Sequence, residues 1–120
     1  MKEKVLEISK KFWKVMEDAD EKGMREIALP ECKFTHIGVT ADLDTEIKFY
    51  TDKIFKPTKI EFHNQEARIV DSTAVVLTDC DYSLLLNDEE TTHHFMVSET
   101  YVNKDDEWKL LQFSFTALIY

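Results

Sequence analysis

The sequence KFTHIG, residues 33–38, places a histidine at the centre of a short run that is typical of a buried strand. A buried imidazole needs hydrogen-bond partners, so an apolar residue would pack there more favourably. Because histidine titrates near neutral pH, it can also bind a ligand or move a proton. His36 is therefore the first candidate for chemistry, and a structural histidine bonded to the backbone is the alternative.

Two carboxylates are the candidate partners of this histidine. Asp79 and Asp81 lie two positions apart in a strand-like run, so their side chains share one face of a sheet. A carboxylate that polarises His36 would make the imidazole a general base. The alternatives are carboxylates solvated at a sheet rim or paired with Arg68.

The remaining polar motifs exclude several kinds of site. His36, His94 and Asp81 have metal-binding side chains but no ligand-spacing motif, and neighbouring His93 and His94 point to opposite faces of a strand. We therefore predict no metal and no cofactor. The chain has only two glycines, without a phosphate loop, a GxSxG elbow or a Cys–His signature, which disfavours nucleotide binding and triad hydrolysis.

Length and charge narrow the class of protein. The 120 residues suit one domain, residues 1–120, and a net charge of −9 disfavours nucleic acid and anionic membranes as partners. Charges interrupt every apolar run near the N-terminus, which predicts a cytoplasmic protein. Cys32 and Cys80 are predicted to be buried free thiols.

The pattern of apolar residues predicts three helices before the sheet. A helical stripe runs over residues 5–19, a short helix over 23–29 stops at Pro30, and a strand closes at Gly38. A third helix begins at Asp42 or Asp44 as N-cap and ends before Pro57.

After Pro57 the sequence alternates between strands and turns. Runs rich in β-branched and aromatic residues are separated by short polar turns at 71–72, 87–90 and 103–107, and the last run extends from 108 to 119. Short turns indicate antiparallel hairpins, so we predict an α+β fold with helices on one face of a curved sheet.

This order of elements resembles the nuclear transport factor 2-like superfamily, which includes ketosteroid isomerase, SnoaL-like cyclases and the association domain of calmodulin-dependent kinase II. The resemblance is carried by FWKVMEDADEKGM, FTHIG, EIKFYTDKI, STAVVL and ETYVNKDDEWKLLQ. It implies a cone-shaped domain in which three N-terminal helices pack on a curved, mostly antiparallel sheet and enclose a pocket. Family members are usually dimers joined across their sheets.

The resemblance also implies positions for the site. Against ketosteroid isomerase, His36 falls at the base position, whereas Phe12 and Ser98 replace the two oxyanion donors, so steroid isomerisation by that mechanism is not expected. Catalytic candidates are His36, Asp81 and Asp79. The predicted pocket lining is Phe12, Phe49, Tyr50, Leu77, His94, Met96, Ser98, Phe113 and Phe115.

The opposite face of the sheet is predicted to join two subunits. It would carry Val76, Tyr82, Val97, Tyr101 and Leu110, and Glu99 would point the same way. Apolar residues on both faces of the strands, with helices available for only one face, favour this homodimer through the outer sheet face.

Three functions follow from these expectations. The first is a small pocket protein that binds a small, largely apolar ligand. The others are an isomerase- or dehydratase-type enzyme with His36 as general base, and a non-catalytic oligomerisation scaffold. A histidine–carboxylate pair inside a cavity would favour the enzyme, and a cavity filled by side chains would favour the scaffold.

Overall fold

Three helices and six strands make up the computed structural model, which describes residues 2–86 and 88–118. The helices are α1 (Lys2–Glu17), α2 (Glu21–Ile27) and α3 (Leu43–Thr51). The strands are β1 (Ala28–His36), β2 (Val39–Asp42), β3 (Lys56–Val70), β4 (Thr73–Leu86), β5 (Glu89–Lys104) and β6 (Glu107–Ala117). Residues 87 and 119, which belong to a predicted turn and the last predicted strand, lie outside the described residues.

Aspartate caps set where the two shorter helices begin. The Asp20 carboxylate accepts a hydrogen bond from the Gly23 backbone N–H at 3.0 Å, and Asp42 accepts one from Thr45 N–H at 2.8 Å. Asp42 is thus the N-cap of α3, and this helix ends at Thr51, earlier than predicted. Among the described residues, no helix has the length and apolar content needed to cross a bilayer.

The sheet has the strand order β2-β1-β6-β5-β4-β3. The four long strands β3 to β6 form the predicted antiparallel meander. Beyond that prediction, β1 pairs with β6 in parallel, so that His36 lies opposite Phe115. Ile37 and Gly38, with φ values of 45° and 92°, form a two-residue turn into β2, a strand that the sequence pattern did not reveal.

The facing of β4 and β5, and that of Leu110 in β6, is the reverse of the prediction, whereas Phe113 and Phe115 of β6 face the helices as predicted. Val76, Tyr82, Val97, Tyr101 and Leu110 are buried within the single chain, on the sheet face that the helices cover. The prediction that they contact a second subunit is therefore wrong. Because strand side chains alternate, a one-residue error in the alignment moves the whole set to the other face.

A buried carboxylate joins α1 to the sheet. Glu99 is 0% exposed, so the prediction that it faces outward is also wrong. Its Oε1 accepts hydrogen bonds from Ser9 Oγ at 2.6 Å and Tyr101 Oη at 2.7 Å. Its Oε2 accepts them from Trp13 Nε1 at 2.8 Å and Thr78 Oγ1 at 2.5 Å. Burial raises the pKa of Glu99, although the donors act in the opposite direction.

The two cysteines are buried free thiols, as predicted. Burial raises the pKa of Cys32 and of Cys80 to about 12. Because the thiolate is the nucleophile, both side chains act as small apolar groups and neither is a candidate for covalent chemistry.

Candidate functional site

A cavity of about 310 Å³ lies between α3, the β1–β2 turn and the strands β4, β5 and β6. Its walls are mainly aromatic and aliphatic, with a few polar groups. The lining residues are His36, Ile37, Tyr50, Phe55, Tyr82, Leu84, Thr91, His93, Phe95, Phe115 and Ala117. Such a combination is the usual form of a small-molecule site.

The His36 ring forms part of the cavity wall and is held by aromatic contacts. It stacks on Phe115 with ring centroids 4.9 Å apart and an interplanar angle of 17°. Phe55 and Phe49 contact its other sides, with centroid distances of 5.5 and 6.3 Å. These contacts fix the ring orientation, and 20% of the side chain stays exposed.

Glu46, in the first turn of α3, is the carboxylate partner of this histidine. His36 Nε2 lies 2.6 Å from Glu46 Oε1, and the Glu46 side chain is fully buried. Glu46 Oε2 has no hydrogen-bond partner among the described residues. When Nε2–H donates to the carboxylate, the ring lone pair is on Nδ1, which is then the atom able to accept a proton.

A pair of tyrosine hydroxyls forms the second polar group of the cavity. Tyr50 Oη and Tyr82 Oη are 3.1 Å apart. Burial raises the pKa of both tyrosines well above the ordinary value, so both hydroxyls are protonated at neutral pH. Their mutual hydrogen bond uses one of the two protons, and the other proton is available for a ligand oxygen.

The structure distributes the predicted pocket residues over three places. His36, Tyr50 and Phe115 line the cavity, and Phe49 contacts the His36 ring. Phe12 and Phe113 instead lie in the core beneath the helices, with ring centroids 5.4 Å apart. Neither ring lines the cavity, so the prediction for these two residues is wrong, because both are used to pack α1 against the sheet.

The other predicted pocket residues lie on the outer face of the sheet, the face opposite the helices. The register of β4 with β5 places Leu77 opposite Ser98, Asp79 opposite Met96 and Asp81 opposite His94, all on that face. The prediction that these six residues face the cavity is wrong, because the predicted facing of β4 and β5 is shifted by one residue and strand side chains alternate between the two faces.

The two aspartates have histidine partners of their own on the outer face. Asp79 Oδ1 lies 2.5 Å from His94 Nε2, and Asp81 Oδ2 lies 3.0 Å from His63 Nε2. Neither carboxylate polarises His36, and neither forms an ion pair with Arg68 in the described part of the chain. The carboxylate partner of His36 is therefore Glu46, and not Asp79 or Asp81 as the sequence predicted.

Sequence reasoning missed Glu46 and eight residues of the cavity wall, which are Ile37, Phe55, Tyr82, Leu84, Thr91, His93, Phe95 and Ala117. A signal for Glu46 was present, because Leu43, Glu46 and Tyr50 recur at helical spacing on the buried stripe of α3. An acidic residue within an apolar stripe indicates a buried partner of opposite polarity.

A larger groove of about 630 Å³ runs between α1, α2 and the β5–β6 turn. Most of its lining is charged, with lysines and an arginine beside glutamates and an aspartate. Charges of both signs compensate one another there, so this groove is a weaker candidate for an apolar ligand than the cavity at His36.

Comparison with known proteins places the chain in a family. A family model described as a SnoaL-like domain matches residues 5–120. A search among curated proteins found no match.

Solved structures with the same fold have low sequence identity to the chain. An NTF2-like protein from Cytophaga hutchinsonii has a TM-score of 0.86 at 19% identity, covering 95% of each chain. An NTF2-like protein from Rhodospirillum rubrum has a TM-score of 0.88 at 15% identity, covering 96% of this chain and 98% of its own. The CaMKII hub of S. rosetta has a TM-score of 0.82 at 19% identity, covering 98% and 96%. The chain belongs to the SnoaL-like family and has the α+β fold of the nuclear transport factor 2-like superfamily.

Proposed function

We propose that the protein binds a small, largely apolar molecule in the cavity at His36, with one polar group of the ligand near the histidine and the tyrosine pair. The single observation that carries this proposal is an open cavity whose apolar wall surrounds a few polar groups. Its volume of about 310 Å³ is at the lower end of the range of small-molecule sites. A cavity that side chains leave open also favours binding over a purely structural role.

Blocking the cavity mouth is expected to abolish binding without loss of stability. Ala117 lines the cavity and is exposed, so Ala117→Trp adds an indole that can enter the mouth without overpacking the core. Compounds from a set of small aromatic and alicyclic molecules that raise the melting temperature of the wild type should bind this variant at least tenfold more weakly, measured by calorimetry.

The matched control is Thr116→Trp, at the neighbouring exposed position that pairs with Met96 on the outer face. This variant should bind as the wild type does. Equal binding by the two tryptophan variants would place the ligand outside the cavity and contradict the proposal.

A second candidate function, an isomerase- or dehydratase-type enzyme, is favoured by one specific observation. The His36–Glu46 contact of 2.6 Å supplies a histidine oriented by a buried carboxylate, which is the arrangement of a general base. The protonated Tyr50–Tyr82 pair would stabilise negative charge on a ligand oxygen. Exchange of the α-hydrogens of a small bicyclic ketone such as 2-indanone for deuterium, followed by NMR, detects such a base directly.

We also propose that the chain forms a homo-oligomer through the outer face of the sheet. Among the described residues no helix covers this face, and Val75, Leu77 and Met96 lie there half-buried. The similarity to the CaMKII hub of S. rosetta and to an association domain from C. elegans supports the proposal.

Leu77→Glu is expected to convert the oligomer into monomers, because it places a charge in the middle of the proposed interface. Sedimentation velocity at micromolar concentration measures the change. Ile54→Glu, at an exposed position after α3, is the control that should keep the wild-type assembly. A wild type that is already monomeric under these conditions would overturn the proposed interface.

A further inference from the structure

Three potential metal ligands meet on the outer face of the sheet, on the side opposite the cavity. Glu61 and His63 belong to β3, and Asp81 belongs to β4. One ligand atom from each of the three side chains lies within 4.8 Å of the other two. The closest pair is His63 Nε2 and Asp81 Oδ2, at 3.0 Å.

An irregularity in β3 brings His63 to this position. The register with β4 shifts between Phe62 and Asn64, so that Asn64 lies opposite Asp79 and His63 is the additional residue of a β-bulge. In a regular ladder His63 itself would lie opposite Asp79. The bulge instead directs its ring to Asp81, and bulges of this kind are frequent next to functional sites.

The neighbouring side chains add negative charge and a second imidazole. Glu61 is the cross-strand partner of Asp81, and His94 is paired to Asp79 at 2.5 Å beside the cluster. Within the described parts of the chain, Asp79 and Asp81 form ion pairs only with histidines. No lysine or arginine among the described residues therefore neutralises these two carboxylates, and their charge is available to a divalent cation.

We propose that Glu61, His63 and Asp81 bind one divalent transition-metal ion of the Zn²⁺ type, with water completing its coordination. Imidazole and carboxylate ligands suit Zn²⁺ and its neighbours in the first transition row, whereas Mg²⁺ prefers oxygen ligands alone. Two ligand atoms on one tetrahedral zinc lie roughly 3.3 Å apart, which follows from bonds of about 2.0–2.1 Å. The His63–Asp81 separation of 3.0 Å is already close to this value.

In the single chain the ligands are also accessible to an ion from solution. The His63 side chain is 43% exposed and that of Asp81 is 38% exposed. The cluster shares no residue with the cavity, so this site is independent of the proposed ligand-binding function. A bound ion would connect β3 to β4 at the bulge, where the regular ladder is interrupted.

Calorimetric titration of untagged, chelator-treated protein with ZnCl₂ tests this site. We expect one ion per chain, and an affinity at least tenfold weaker in both His63→Asn and Asp81→Asn. His93→Asn is the matched control, because His93 is an exposed histidine outside the cluster, and this variant should keep the wild-type affinity. Circular dichroism of the variants verifies that they are folded.

Two further results would support the same site. The Co²⁺-loaded wild type should show visible absorption bands that are absent in His63→Asn, and MgCl₂ should bind at least a hundredfold more weakly than ZnCl₂. The proposal is overturned if 100 µM Zn²⁺ does not bind to the wild type, if His63→Asn keeps the wild-type affinity, or if half an ion binds per chain.

Discussion

Replacing His36 by phenylalanine is expected to lower the free energy of unfolding by about 3 kcal/mol, although the two rings are similar in width. Glu46 is fully buried, and His36 is its only hydrogen-bond partner among the described side chains. Removal of the imidazole leaves a buried carboxylate without compensation, which is among the most destabilising changes in a protein interior. For a domain of this size the melting temperature should fall on the order of 10 °C.

The double variant His36→Phe/Glu46→Leu should recover most of this loss, because an apolar pair replaces the pair of polar partners. Chemical and thermal denaturation of the two variants measures the coupling. His93→Phe, at an exposed position of the cavity mouth, is the control and should change stability little. Wild-type stability of the single variant would show that the His36–Glu46 pair contributes nothing.

This pair also changes how a function of His36 must be tested. A loss of stability in His36→Phe is expected whether or not the histidine acts on a ligand, since Glu46 loses its partner in both cases. The double variant keeps an apolar cavity but has no base. If His36 is a general base, this variant should bind the ketone and fail to accelerate deuterium exchange, and exchange at the wild-type rate would contradict that role.

Truncation of Glu99 is expected to have a still larger effect. Glu99→Ala removes the acceptor of four hydrogen bonds and leaves the donors of Ser9, Trp13, Thr78 and Tyr101 without partners in the core. Each orphaned buried group costs about 1–3 kcal/mol, partly relieved by water in the new cavity, so we expect a total loss of about 4 kcal/mol. The melting temperature should fall by roughly 15 °C.

Glu66→Ala is the control for this substitution, because Glu66 is an exposed glutamate in the neighbouring part of the sheet. It should change the free energy of unfolding by less than about 0.5 kcal/mol. A Glu99→Ala protein as stable as this control would show that the buried network does not hold α1 to the sheet.

The raised pKa of Glu99 adds a dependence on pH. Burial disfavours the ionised carboxylate in the folded state, so the folded protein binds the proton more tightly than the unfolded chain. The stabilising contribution is complete below the unfolded pKa of about 4.3 and is lost as the pH rises through the folded pKa. The stability advantage of the wild type over Glu99→Gln should therefore shrink as the pH rises above about 4.3.

The elements of the fold were predictable because their signals are local. Helical spacing from Val5 to Met16, the cap at Asp42 and the short turn at Asp71 and Ser72 each act within a few residues. These local signals agree with one another, which is why the helices and the antiparallel meander are confirmed by the structure.

The facing of the strands was not predictable in the same way. Along β4, Val75 and Leu77 give the outer face an apolar character and Val76 does so for the buried face, which also contains the polar Thr78 and, on β5, Glu99. Polarity alone therefore assigns no face. The covered side is identified by the contacts of α1 with the sheet, such as the hydrogen bonds of Ser9 and Trp13 to Glu99, and these contacts join residues far apart in the sequence.

The role of Glu46 in the site was missed because its position in the sequence has a local explanation. An acidic residue in the first turn of a helix is stabilised by the helix dipole, and this local explanation masked the signal that Glu46 also lies on the apolar stripe of α3. Its contact with His36 depends on how α3 packs against β1, which no periodicity reports. The histidine itself could be found because its polarity contrasts with its own strand.

The parallel pairing of β1 with β6 has a consequence for the order in which the protein matures. β1 pairs with β2 soon after it is synthesised, but its second neighbour in the sheet, β6, is the last strand of the chain and follows β3, β4 and β5. During synthesis on the ribosome the His36 ring therefore lacks its stacking partner Phe115 until β6 has been made. Until β6 has been synthesised, helices α1 to α3 and the β1–β2 hairpin expose apolar side chains to water. We therefore expect chaperones to bind the nascent chain mainly during this interval.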